Sequence, residues 1–96
     1  SAARKLLRDS QIDKAVAAIE SAVHDYPDNT GVLLQAAQIH CMALRLKKDL
    51  DADRIELIRT YLTRLEKLLP ANDRVTVMRR YFRETLGMLE SPSLQT

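Results

Sequence analysis

Apolar residues recur along most of this chain at steps of three and four, the spacing that lines one face of a helix. Ile12, Ala15, Val16, Ile19, Ala22 and Val23 form the first such stripe, and Ile55, Ile58, Leu62, Leu65 and Leu69 form the cleanest. Val75, Met78, Phe82, Leu86 and Leu89 repeat the pattern near the C-terminus. Between them Val32, Leu33, Ala36, Ala37, His40, Met42 and Leu44 cover most of a helix circumference, so that helix is expected to lie between two others. Breaks fall at Asp9-Ser10-Gln11, Tyr26-Pro27-Asp28-Asn29, Lys48-Asp49-Leu50-Asp51 and Leu69-Pro70-Ala71-Asn72-Asp73. The pattern predicts helices over 2–8, 11–25, 29–47, 52–69 and 73–89 and no strand. Residues 1–90 read as one domain and residues 91–96, without periodicity, as a disordered C-terminal tail.

The helix ends carry their own chemistry. Asp28, Asn29 or Thr30 is available to accept from the exposed N–H groups of the third segment, Asp51 and Asp53 do so for the fourth, and Asn72 or Asp73 for the last. Arg45, Lys47 and Lys48 place positive charge against the carbonyl end of the third.

Composition narrows the class. Of 96 residues 46% are apolar and 29% charged, too apolar for disorder and too charged for a membrane span. Two Gly and three Pro are too few for a many-stranded fold, so the class is all-α. Fifteen Lys and Arg against thirteen Asp and Glu give a net charge of +2, far from the basic balance of most nucleic-acid modules. A lone cysteine, Cys41, rules out an internal disulfide framework and a multi-cysteine zinc site, which fits a reducing, cytoplasmic compartment. The chain opens on Ser1-Ala2-Ala3-Arg4-Lys5 with no basic-then-apolar leader, and is expected to be a piece of a longer protein.

Self-similarity sharpens the fold. Ala22, Ile19 and Ala15 precede Pro27 by five, eight and twelve residues, and Leu65, Leu62 and Ile58 precede Pro70 by the same offsets. The block from Ser10 to Asn29 resembles the second half of a tetratricopeptide repeat. Leu33, Ala36, Ala37 and His40 partly match that family's first-helix pattern, and Ala2, Ala3 and Leu6 occupy the equivalent places of a truncated first repeat. Pro27 and Pro70 lie 43 residues apart rather than the usual ~34. The last helix presents Thr76, Arg79, Arg80 and Arg83 where small and apolar residues are expected. The resemblance implies antiparallel helical hairpins stacked as a short right-handed superhelix, closed by a terminal capping helix, with Ala15, Ile19, Ala22, Pro27, Ala36, Ala37, Ile58, Leu62, Leu65 and Pro70 in repeat packing. It implies a non-catalytic adaptor, the C-terminal segment of a bacterial signalling protein such as a response-regulator fusion. A protein, a peptide or an adjoining domain is then its partner.

Candidate chemistry is sparse. His24 and His40 sit in different helices without a second ligand at helical spacing, and His40 reads as a packing or hydrogen-bonding residue. Adjacent His40 and Cys41 point about 100° apart on a helix and make a poor dyad. The carboxylates from Asp49 to Glu56 lack the central Gly of a calcium loop. No phosphate loop or nucleophile elbow is present, so neither metal, cofactor nor enzyme activity is expected. What remains is interaction: Arg4, Gln35, Gln38 and Arg45 as groove-facing residues, and Arg79, Arg80 and Arg83 as a basic patch. A nucleic acid held through Arg74 to Arg83 is one alternative, and a homodimer is another. Leu57, Tyr61, Leu68 and Met88 lie off the main stripes and are candidates for a self-association surface.

Overall fold

The computed structural model describes residues 2–91, and these form four α-helices with no strand among them. They are α1 (Ala2–Asp25), α2 (Thr30–Lys47), α3 (Ala52–Leu68) and α4 (Asp73–Glu90). The tail expected from residue 91 lies outside the described residues except for Ser91, which ends α4.

Three of the expected breaks occur, each with the cap its residues supply. The Asn29 side chain accepts from Val32 N–H at 3.0 Å, Asp51 from Arg54 N–H at 3.1 Å, and Asn72 from Arg74 N–H at 2.9 Å. After α2, Lys48 takes a left-handed conformation with φ 51°, and Asp49 N–H reaches back to the Leu44 carbonyl at 3.4 Å.

The fourth break does not exist: residues 2–8 and 11–25 belong to one helix, α1. Asp9, Ser10 and Gln11 include neither Pro nor Gly, and each costs only about half a kcal/mol against Ala inside a helix. Asp9 is moreover engaged by Lys5 one turn earlier at 3.7 Å. Ala2, Ala3 and Leu6 therefore cannot fold back on Ala15 as the first helix of a hairpin. They are exposed, on a helix about 36 Å long that outreaches its neighbour α2 by roughly two turns.

α2 is the centre of the molecule. α1 and α3 pack on it antiparallel, α4 packs on it and on α3, and α1 meets no other helix backbone closely. Leu33, Ala36, Ala37, His40, Cys41, Ala43 and Leu44 are all buried on it, so its apolar girth follows from having three neighbours rather than two. Ala36 and Ala37 are fully covered, which lets the backbones approach. Ile19, Ile58, Leu62 and Leu65 fill the core as the spacing predicts, and Ala22 packs against it. Ala15 is half-buried and outside that cluster, and Pro27 and Pro70 are exposed at their turns.

The self-association candidates need correction. Tyr61 is 5% exposed and part of the core, while Leu57 and Met88 pack against it partly buried; Leu68 alone stands exposed. Among the described residues no helix is long and apolar enough to cross a membrane.

Candidate interaction groove

Because α3 runs back across the molecule, α2 and α4 lie side by side in the same direction. Gly31, Leu34, Gln35 and Gln38 form a stripe at offsets of zero, three, four and seven on α2, and Arg74, Val77, Met78 and Tyr81 repeat those offsets on α4. Each α4 residue stands 43 positions after its α2 counterpart, the separation of Pro27 and Pro70. The two stripes line an open cleft of about 540 Å³. Its walls are mixed: Val77 is 58% exposed, Leu34 and Tyr81 are half-buried, and both glutamine side chains reach solvent.

Outside the cleft's lining, Arg45 of α2 reaches across to α4. Its Nε donates to Thr85 Oγ1 at 2.7 Å, and its guanidinium lies 4.4 Å from the centre of the Tyr81 ring. Thr85 is fully buried and donates in turn to the Tyr81 carbonyl at 2.7 Å. The side chain is thus fixed from two sides.

Of the residues expected to face a groove, Gln35 and Gln38 line this cleft, and Arg45 lines the depression between the ends of α1 and α2 instead. Arg4 stands exposed on α1, away from the groove-lining residues. The expected basic patch is divided: Arg79 donates through Nε to Glu66 of α3 at 2.6 Å, whereas Arg80 and Arg83 are exposed. These residues correspond, 43 positions on, to Ala36, Ala37 and His40, which are buried on α2. On α4 the matching face is exposed at Arg80 and Arg83, in keeping with their charge. Arg74, Val77 and Met78 are groove residues that sequence reasoning did not place there, although the 43-residue spacing marks them.

A second polar cluster joins α1, α2 and α3. His40 Nε2 lies 2.5 Å from Glu20 Oε1, and Arg54 Nη1 lies 3.2 Å from His40 Nδ1. A guanidinium only donates, so Nδ1 accepts from Arg54 and Nε2–H donates to Glu20. The Tyr61 hydroxyl donates to the same carboxylate at 2.7 Å. Burial, then the bond to Glu20 and its charge, raise the Tyr61 hydroxyl well above the usual phenol range. Burial likewise pushes the neighbouring Cys41 thiol up to about 12, with Arg45 opposing it weakly. None of the clefts described here is lined by His40, Glu20 or Tyr61. The cluster fastens three helices, and the neutral, buried Cys41 is not set up as a nucleophile.

Two other depressions exist. One on the outer face of α3 holds Arg64, which donates to Asp28 at 2.9 Å through Nε. One between the ends of α1 and α2 is lined by Lys5, Arg8, Asp9, Arg45, Leu46, Lys47 and Lys48. No group of three or more His, Cys, Asp or Glu that could hold a metal ion occurs among the described residues. Comparison of the chain with protein-family models, with curated proteins and with solved structures returned no match.

Proposed function

We propose that this chain is a non-catalytic, tetratricopeptide-like interaction module whose α2–α4 groove receives a segment of a partner protein. The observation that carries the reading is the pair of stripes 43 residues apart, aligned in parallel over one open cleft. A hairpin of α2 and α3 followed by α4 stacked on α2 agrees with helical hairpins repeating along an axis, and the charged outer face of α4 agrees with a terminal capping helix. An exposed valine between glutamine amides offers apolar area with hydrogen-bonding groups around it, the mixture that peptide-binding surfaces use.

The test is a selection of displayed random peptides on the immobilised chain, followed by binding to Val77→Arg. Val77 is exposed, so the change should leave the fold intact while filling the cleft with a charged side chain. Selected peptides should lose most of their affinity for the variant. Binding that is indifferent to Val77→Arg would count against the groove.

A further inference from the structure

The 43-residue separation relates burial as well as position. Val75, Phe82, Thr85 and Leu89 are all buried on α4. Their counterparts on α2 are Val32 and Ile39, half-buried, and Met42 and Leu46, exposed. Likewise Ile58, Tyr61 and Leu65 are buried on α3, whereas their counterparts Ala15, Ala18 and Ala22 on α1 are half-buried or exposed. The cause is arrangement: α2 packs on both α3 and α4, and no described helix packs in that way on both α1 and α2. An apolar edge of α2 and a flank of small residues on α1 thus border an uncovered furrow. It lies on the side turned away from α3, since Glu20 and His40 mark the side turned towards it. α1 also runs straight through Asp9-Ser10-Gln11, so Leu6 and Leu7 project past α2, 70% and 60% exposed, and do not fold back on their own chain.

We propose that two copies of the chain pair through α1, antiparallel and two-fold, with the N-terminal overhang of each lying in the α1–α2 furrow of the other. An α1 laid antiparallel on α1 runs parallel to α2, the directions that α2 itself keeps towards α3 and α4. Asp13 faces Lys47 and Glu20 faces His40 across the α1–α2 pair, which sets Met42 level with Ala18. With Leu7 of one copy at that level of the other, it meets both residues, while Ala3 falls beside Ala22 and Gln11 beside Lys14. A large side chain then rests on small ones, and no like charges are directly opposed. Charge favours the same direction. Arg4, Lys5 and Arg8 against Asp9 make the start of α1 cationic, and Asp13, Glu20 and Asp25 against Lys14 make the rest anionic, an order that runs against the helix's own dipole. Antiparallel pairing brings each cationic end beside the anionic, carbonyl end of the second copy. A helix from another protein would cover the furrow and leave Leu7 in water, whereas a second copy buries both at once, and exchange of identical elements closes the assembly at two chains.

The experiment is sedimentation equilibrium of the full chain, followed by disulfide trapping. The parent should be dimeric at about 100 μM. Leu7→Glu should raise the dissociation constant about a hundredfold, because a two-fold interface loses the leucine twice. Arg80→Glu, on another face, should sediment as the parent does, and circular dichroism checks that each variant is folded. Leu7→Cys combined with Ala18→Cys, in a Cys41→Ala background, should yield a covalent dimer on oxidation. Within one straight helix these positions lie about 16 Å apart and cannot join. Leu7→Cys alone in that background should yield none. A parent that stays monomeric, or a dimer indifferent to Leu7→Glu, overturns the proposal. So does a disulfide trapped within one chain, which would show the overhang folded back on its own α1, or a covalent dimer from Leu7→Cys alone, which would show parallel pairing. Peptides selected on the α2–α4 groove should bind Leu7→Glu as they bind the parent, so the groove and the dimer stand or fall separately.

Discussion

Two seams of α2 contrast sharply. On the side of α1 and α3 every polar group is consumed: Glu20 accepts from both His40 and Tyr61, and Arg54 caps the far side of the imidazole. No buried side-chain nitrogen or oxygen lacks a partner among the described residues. On the side of α4 the helices part over an open cleft whose glutamines and Arg74 are exposed to solvent. The same helix is therefore a closed joint on one face and an open one on the other. A closed polar joint adds specificity to packing, since any other register leaves buried groups unpaired; an open joint leaves hydrogen-bonding capacity for a second molecule.

Removing the acceptor of the closed seam should have the largest effect. Glu20→Ala leaves the His40 and Tyr61 donors facing each other without a partner and should cost about 3 kcal/mol in denaturant unfolding. A loss well under 1 kcal/mol would show that the cluster is not what joins the three helices.

The same seam should make the fold sensitive to alkali. The Cys41 thiol titrates near 9.0 when exposed and at about 12 in the fold. Its contribution is therefore complete below pH 9 and is lost as pH rises from 9 towards 12, by about 1.4 kcal/mol per pH unit. Tyr61, raised in the same direction, adds to the fall at the upper end. Stability of Cys41→Ala measured across this range should decline less steeply than that of the parent; parallel curves would contradict the burial of the thiol.

A smaller and opposite change is expected at the turn that leaves α2. Lys48 holds φ 51°, a conformation in which a Cβ costs roughly 1 kcal/mol, so Lys48→Gly should raise stability by about that amount. An unchanged or lowered midpoint would mean that the left-handed cap is not populated. The smallest effect on stability belongs to the open seam: Val77→Arg should alter it by less than about 0.5 kcal/mol. A large loss there would make Val77 part of the closed core and erase the contrast.

Much of this fold is legible in the sequence, and the exceptions are instructive. Asn29, Asp51 and Asn72 announce three helix starts because capping is local chemistry. Asp9-Ser10-Gln11 resembles a break in composition, yet without Pro or Gly its small propensity costs sum to too little to stop a helix. Tyr61 lies in the core, against the sequence expectation, because its hydroxyl is satisfied by Glu20, 41 residues away, and no local pattern foretells such a pairing. Within the groove, Gln35 and Gln38 follow from their exposed helical face. Arg74 and Val77 follow only when the 43-residue repeat is carried onto α4; Met78, which the stripe pattern assigns to the core, is indeed buried there while also touching the cleft. Helical spacing groups Arg79 with Arg80 and Arg83, and Glu66 on another helix sets Arg79 apart.

The open seam is tested most directly by amide chemical shifts of the isotopically labelled chain as a selected peptide is added. Perturbations should concentrate on Gly31, Gln35, Gln38, Arg74, Val77 and Tyr81, with His40 and Tyr61 unmoved. Shifts centred instead on Arg64 and Lys67 along the outer face of α3, with the groove amides silent, would contradict the assignment of the α2–α4 cleft as the binding surface.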